Sequence, residues 1–117
     1  MTDLIETFGA ADHAGCVRFQ NAIELIGRRW TGAILYVLMD GPASFSELLP
    51  KIPELSDRLL SERLKELEEA GLVSREVIPC RPPRVSYSLT DKGRGLKPAL
   101  DAVGAWAADW QPGGARP

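Results

Sequence analysis

FSELLPKIPELSDRLLSERLKELEEAGLVSREVIPCRPPRVSYSLT, residues 45–90, is the stretch that decides the fold. It opens with a short helix from Phe45 to Ile52, capped by Ser44, with Glu47 three residues on to complete a capping box. Pro50 and Pro53 keep that helix short. Ser56 is a second N-cap, and from it a helix runs to Ala70 with Leu60, Leu64 and Leu67 as its apolar stripe. Asp57, Arg58, Ser61, Glu62 and Lys65 face the other way, and Ala70-Gly71 closes the helix. Leu72–Ile78 reads as a strand, and Val85, Tyr87 and Leu89 alternate with Ser86 and Ser88 as a second. Between them, residues 79–84 (PCRPPR) contain three prolines, each lacking a backbone donor, so this is a loop. A helix pair followed by a basic hairpin is the pattern of a winged helix-turn-helix, which places its second helix in the DNA major groove.

Working outward, residues 1–15 read as a loosely ordered arm with a short helix near Leu4–Phe8. The arm holds three acids and no Lys or Arg, so it lacks the basic start of a signal peptide. Val17–Ile26 has helical spacing and ends at Gly27; Trp30–Met39 is almost wholly apolar, the mark of a buried central helix; Asp40-Gly41-Pro42 stops it. On the other side, Thr90 caps a final helix through Trp110, bent at Pro98, and residues 112–117 form a disordered tail. The expected fold is α+β and mostly helical: one winged-helix domain over residues 16–111 with extra terminal helices. Ile23, Leu100, Val103, Trp106 and Trp110 are more apolar surface than so small a core can bury. They therefore point to a dimer interface, with folding back onto the same subunit as the alternative.

The bulk numbers agree with one domain: 117 residues with a net charge of −2. No apolar run approaches the roughly 18 residues needed to span a membrane, so the expected location is the cytoplasm. Between Ser56 and Lys97 nine bases stand against seven acids, so any DNA footprint is made of a few placed cations rather than a broad basic surface. Two cysteines, Cys16 and Cys80, are too few for a disulfide scaffold.

Several motifs resemble those of the HxlR family of bacterial winged-helix transcriptional regulators, in the MarR-like group. They are Cys16, AIELIGRRWTGAILYVLMDGPASFSEL (22–48), LSDRLLSERLKELEEAGLVSREV (55–77), PPRVSYSLTDKGRGL (82–96) and Trp106. The resemblance covers residues 16 to 110. It implies a homodimer that binds double-stranded operator DNA, and in some members the sensing of aldehydes or oxidants through the cysteine ahead of the first helix. Cys80, in the wing, departs from the family pattern.

The candidate DNA contacts follow from chemistry and position. Arg58, Ser61, Glu62 and Lys65 share the exposed face of the second helix, where arginine can bond two guanine acceptors and serine a base or phosphate; Ser56 opens that helix. The same face also fits an ordinary solvated surface with Arg58–Glu62 as an i,i+4 pair. Arg63 lies beside the apolar stripe and suits a role holding the helix to its neighbours. Ser44 and Ser46 open the preceding helix, where free amides suit a phosphate. Arg81 and Arg84 flank the proline-stiffened wing and suit a minor groove or backbone. Arg28 and Arg29 suit phosphate or acids at the dimer seam. Cys16, ahead of a helix and near Arg18, has the setting of a reactive thiol sensor, and equally that of a small buried hydrophobe; a small-molecule effector is the other candidate switch, since the apolar helices at the dimer seam could also line a ligand pocket. His13 is the single histidine, and no zinc spacing, nucleophile motif or phosphate loop accompanies it. No cofactor, metal or enzymatic activity is expected. The rival functional class is a winged-helix protein-interaction module that never meets DNA, favoured by the slight net acidity and by Glu66, Glu68 and Glu69.

Overall fold

The computed structural model describes residues 13–113. The arm over residues 1–12, including the helix expected near Leu4–Phe8, and the tail over 114–117 lie outside the described residues. The chain divides into two compact units, residues 1–32 and 33–117.

In the first unit α1 spans His13–Ile26, and the Gly27 amide closes it by donating to the Ile23 carbonyl at 2.8 Å. Two expectations change here. Residues 13–15, read as part of the arm, are helical, and Cys16 therefore sits in the first turn of α1 rather than ahead of it. Trp30 adopts φ +71°, a left-handed conformation that an L-residue enters only at a cost, and the following helix starts after it. The Arg29 guanidinium lies 5.5 Å from the Trp30 ring centroid, within cation–π range.

The helix α2 (Thr31–Leu38) leads into the second unit. Ile34, Leu35 and Leu38 are buried as the apolar run predicts, but Tyr36 is exposed, so α2 is not wholly enclosed. A short strand that the sequence did not suggest, β1 (Ala43–Ser44), precedes α3 (Phe45–Leu48). The expected helix to Ile52 tightens after Leu48 into a 3-10 turn over Leu49–Lys51, because Pro50 has no amide to continue the α-helical ladder. Next come α4 (Asp57–Glu69), β2 (Val73–Ile78) and β3 (Arg84–Leu89).

The sheet is antiparallel in the order β1-β3-β2, with Val73 opposite Leu89, Ile78 opposite Arg84, and Ala43 opposite Tyr87. Two corrections follow from this register. Arg84 belongs to β3 rather than to the wing loop, which is residues 79–83. Ser86 and Ser88 are half-buried like Val85 and Tyr87, since β3 is the central strand and is flanked on both edges; the Ser88 hydroxyl lies 3.0 Å from that of Ser74.

The single final helix resolves into two. Thr90 caps the one-turn α5 (Asp91–Arg94), its hydroxyl accepting from the Gly93 amide at 3.1 Å. The chain breaks at Gly95 and Leu96, and α6 spans Lys97–Trp110. Pro98 stands in the opening positions of α6, where its missing amide has no intrahelical partner to lose, rather than at a bend.

The core of the second unit is where these elements meet. Leu60, Leu64 and Leu67 of α4 are buried, as are Leu48 of α3, Val73 of β2 and Leu89 of β3. In contrast, none of the 14 residues of α6 is buried. Val103, Trp106 and Trp110 are 59%, 54% and 74% exposed, and Ile23 on α1 is exposed too. Among the described residues, no helix is long and apolar enough to cross a membrane.

Candidate nucleic-acid interface

The site begins with the cap of α4. Ser56 Oγ accepts from the Leu59 amide at 3.1 Å, fixing where the helix starts and which side chains fill its first turns. Burial of Leu60, Leu64 and Leu67 then forces Arg58, Ser61, Glu62 and Lys65 onto the opposite, exposed face. The Arg58 side chain is 90% exposed, and its Nε donates to Glu62 Oε1 at 3.4 Å. An exposed i,i+4 pair of this kind contributes only a few tenths of a kcal/mol, roughly 0.3–0.5. The guanidinium is therefore readily redirected to a stronger acceptor.

Arg63 plays a different part. It is 12% exposed and its Nη1 donates to both Glu66 carboxylate oxygens at 3.2 Å. It neutralises one of the late acids of α4 and braces the helix.

A second constellation lies at the α3 start. Ser44 Oγ accepts from the Glu47 amide (3.2 Å) while the Ser44 amide donates to Glu47 Oε1 (2.8 Å), the capping box read from sequence. The hydroxyls of Ser44 and Ser46 are 3.2 Å apart. Pairing of β1 with β3 brings this cap against the wing base, so Ser44, Phe45, Ser46, Pro83, Arg84 and Val85 line one cleft of about 290 Å³. Two hydroxyls and a guanidinium around such a space suit a phosphate oxygen. Arg81 is exposed in the wing loop but is not among the residues lining that cleft. In the same loop Cys80 Sγ donates to the Pro82 carbonyl at 3.1 Å, and the Arg81–Pro82 peptide is cis.

The Glu47 carboxyl is held below its ordinary value of 4.5, first by the Ser44 amide, then by the Ser44 hydroxyl, with the charges of Arg84 and Lys51 adding to the effect. A depressed carboxylate contributes stability that is present above the ordinary value and is lost as acid carries the solution through the lowered one. Melting curves of the wild type and Glu47→Ala, taken from about pH 7 down to about pH 3, are expected to differ at neutral pH and to converge in acid. A gap that stays constant down to the lowest pH contradicts this role.

Cys16 and Cys80 are both exposed free thiols, and among the described residues no group of three or more His, Cys, Asp or Glu side chains is placed to hold a metal ion. The sequence-predicted contacts thus separate into an α4 face (Arg58, Ser61, Glu62, Lys65), a cap-and-wing cleft (Ser44, Ser46, Arg84) and a wing loop (Arg81). Sequence reasoning missed the side chains of Thr90 and Lys92, which reach back to the end of α4 across some 20 residues. Spacing along the chain carries no signal for such a contact.

A profile described as HxlR-like helix-turn-helix matches residues 25–114. The chain belongs to the HxlR-like helix-turn-helix family. Like its relatives, it is a helix-turn-helix transcriptional regulator. It is 48% identical over 95 residues to the uncharacterised HTH-type transcriptional regulator YvaP of Bacillus subtilis, covering 81% of this chain and 88% of the relative. The reduced form of the transcriptional regulator YodB from B. subtilis superimposes with a TM-score of 0.74 at 44% identity, over 82% of this chain and 95% of that one. The redox regulator HypR in its reduced form gives a TM-score of 0.75 at 36% identity, over 79% of this chain and 91% of that one. The winged helix-turn-helix architecture and the family read from sequence both stand.

Proposed function

We propose that this HxlR-type regulator binds a pseudo-palindromic operator as a cytoplasmic homodimer, with no catalytic activity of its own. One α4 from each subunit enters successive major grooves and each wing lies on the flank. The observation that carries this reading is the α4 face. Arg58, Ser61, Glu62 and Lys65 project together from a helix pinned by three buried leucines, and the guanidinium is engaged in an exposed pair with Glu62. Arg58 reads a base edge, Ser61 and Lys65 meet base or phosphate, and Glu62 leaves Arg58 for a cytosine amino group. Ser44, Ser46 and Arg84 hold a phosphate, Arg81 extends the contact along the flank, and Ser56 sets the start of the reading helix. The residues 16–111 act as the DNA-binding unit, with residues 1–15 and 112–117 outside it.

Dimerisation uses Ile23 with Leu100, Val103, Trp106 and Trp110, four of which are exposed apolar side chains in the single chain. Cys16 is the switch: an oxidant or electrophile that modifies this exposed thiol shifts the dimer between two geometries that differ in the separation of the α4 helices. The solved forms of two relatives support this reading, since HypR is known in reduced and oxidised forms and YodB in reduced, diamide-treated and quinone-bound forms.

The test is an anisotropy titration on DNA from upstream of the protein's own gene, at two salt concentrations, with and without diamide. Tight binding that weakens steeply with salt is expected. Diamide is expected to release the wild type but not Cys16→Ser. Arg58→Ala is expected to weaken specific binding by roughly 1–3 kcal/mol while leaving the fold intact. Unchanged operator affinity in that variant removes Arg58 from the interface, and binding no better than to random DNA favours a protein-interaction module.

A further inference from the structure

The motif Thr90-Asp91-Lys92-Gly93 has no part in the DNA contacts or the dimer face, yet it gathers the chain as it leaves α4. Three successive main-chain carbonyls there are taken by this one segment. Ala70 O accepts from Lys92 Nζ at 2.8 Å, Gly71 O from Thr90 Oγ1 at 2.6 Å, and Leu72 O from the Thr90 amide at 3.0 Å. Gly71, at φ +79°, turns the chain out of the helix, and the Lys92 side chain lies across it: a Cβ there would stand 3.9 Å from Lys92 Cδ and 4.0 Å from Nζ. Gly93 lies flush against the same stretch, since a Cβ on it would fall 2.2 Å from the Leu72 carbonyl oxygen. Arg94 Nη1 completes the junction by donating to the Leu89 carbonyl at 2.8 Å.

This is not local helix capping. Thr90 follows the last residue of β3, and Lys92 is 22 residues from the carbonyl it binds. The ammonium sits where the partial negative charge of α4 is concentrated, and although the side chain is exposed it donates to the Ala70 carbonyl. The contacts therefore join the base of the wing to the C-terminal end of the reading helix. Base readout tolerates little play in the angle between two such elements, because a bidentate contact demands fixed geometry.

We propose that Thr90 and Lys92 form a clasp that fixes α4 relative to the wing, making Lys92 a positioning residue for operator binding rather than a DNA contact. This rests on the DNA-binding reading above. The clasp acts on specific binding, where helix and wing must engage together, and leaves the phosphate attraction common to all DNA untouched.

Full-length Lys92→Met and Lys92→Arg are compared with wild type on operator and on a random duplex of equal length, across a salt series, alongside melting curves. Lys92→Met is expected to lose about tenfold in operator affinity, the size of one charge-assisted hydrogen bond. Its random-duplex affinity and salt slope are expected to stay at wild-type values, and Lys92→Arg, which keeps a cationic donor, to recover most of the loss. Wild-type operator affinity in Lys92→Met overturns the clasp. So does a parallel loss on both duplexes with the salt slope reduced by about one, which marks a phosphate contact. A loss that follows a fall in melting temperature and is not restored by Lys92→Arg also overturns it, as mere destabilisation. A wild type that does not distinguish operator from random duplex overturns the DNA-binding reading itself.

Discussion

Replacing Trp106 and Trp110 together with glutamate is expected to leave the protein monomeric and to lower operator affinity by on the order of a hundredfold or more. Among the described residues no position of the 14-residue helix α6 is buried, so most of its apolar content stands uncovered in the single chain. Leu100, Val103, Trp106 and Trp110 recur at spacings of 3, 3 and 4 and so share one face, and the two indoles are more than half exposed. In the proposed dimer a second copy offers the same face and covers both, as a two-fold interface requires. Two carboxylates per chain at that seam put four like charges against one another and against apolar surface. Affinity falls because two linked half-sites give far tighter binding than one, and a monomer has only one. Sedimentation or light scattering reads the mass, and anisotropy reads the DNA. A double variant that remains dimeric places the interface elsewhere. Because these side chains are exposed in the single chain, the variant is expected to keep its helical circular dichroism, which separates this outcome from unfolding.

How much of this was legible in the residues depends on how local each signal is. Caps, stripes and turns are written in neighbouring side chains: Ser44 with Glu47, Ser56 before the Leu60-Leu64-Leu67 stripe, and Gly71 at the helix exit all stand where their chemistry put them. The misses are non-local or cooperative. A two-residue strand, Ala43–Ser44, exists only because β3 offers it an edge. Arg84 belongs to a strand because Ile78 pairs with it, and no periodicity marks that boundary. The α5–α6 break falls at Gly95-Leu96 and not as a bend at Pro98, since proline is as well suited to opening a helix as to kinking one. The candidate site shows the same split. The face of α4 follows from its leucine stripe, whereas the cleft joining Ser46 to Arg84 and the clasp of Lys92 on Ala70 need the tertiary fold.

Leu64→Ala is the complementary experiment, since it strikes the support of the reading face and none of its contacts. Leu64 is 1% exposed, at the middle of α4, with buried Leu60 and Leu67 one turn to either side. Truncation there removes apolar burial and leaves a cavity in close-packed surroundings, which costs about 2–5 kcal/mol. Domains of this size are stable by only about 5–15 kcal/mol, so the melting temperature is expected to fall by roughly 10 °C or more. The shift is read at fixed protein concentration, because the proposed subunit association would also contribute to the melting point. Below the transition, the folded fraction is expected to bind operator within a few-fold of wild type, because Arg58, Ser61 and Lys65 keep their face. Arg58→Ala is expected to do the reverse, weakening operator binding with its melting point unchanged. The two variants together separate what holds α4 in place from what α4 presents. If Leu64→Ala melts like wild type, the buried stripe does not carry the fold; if it retains its fold and loses operator binding as Arg58→Ala does, the division of the helix into a supporting and a reading face is wrong.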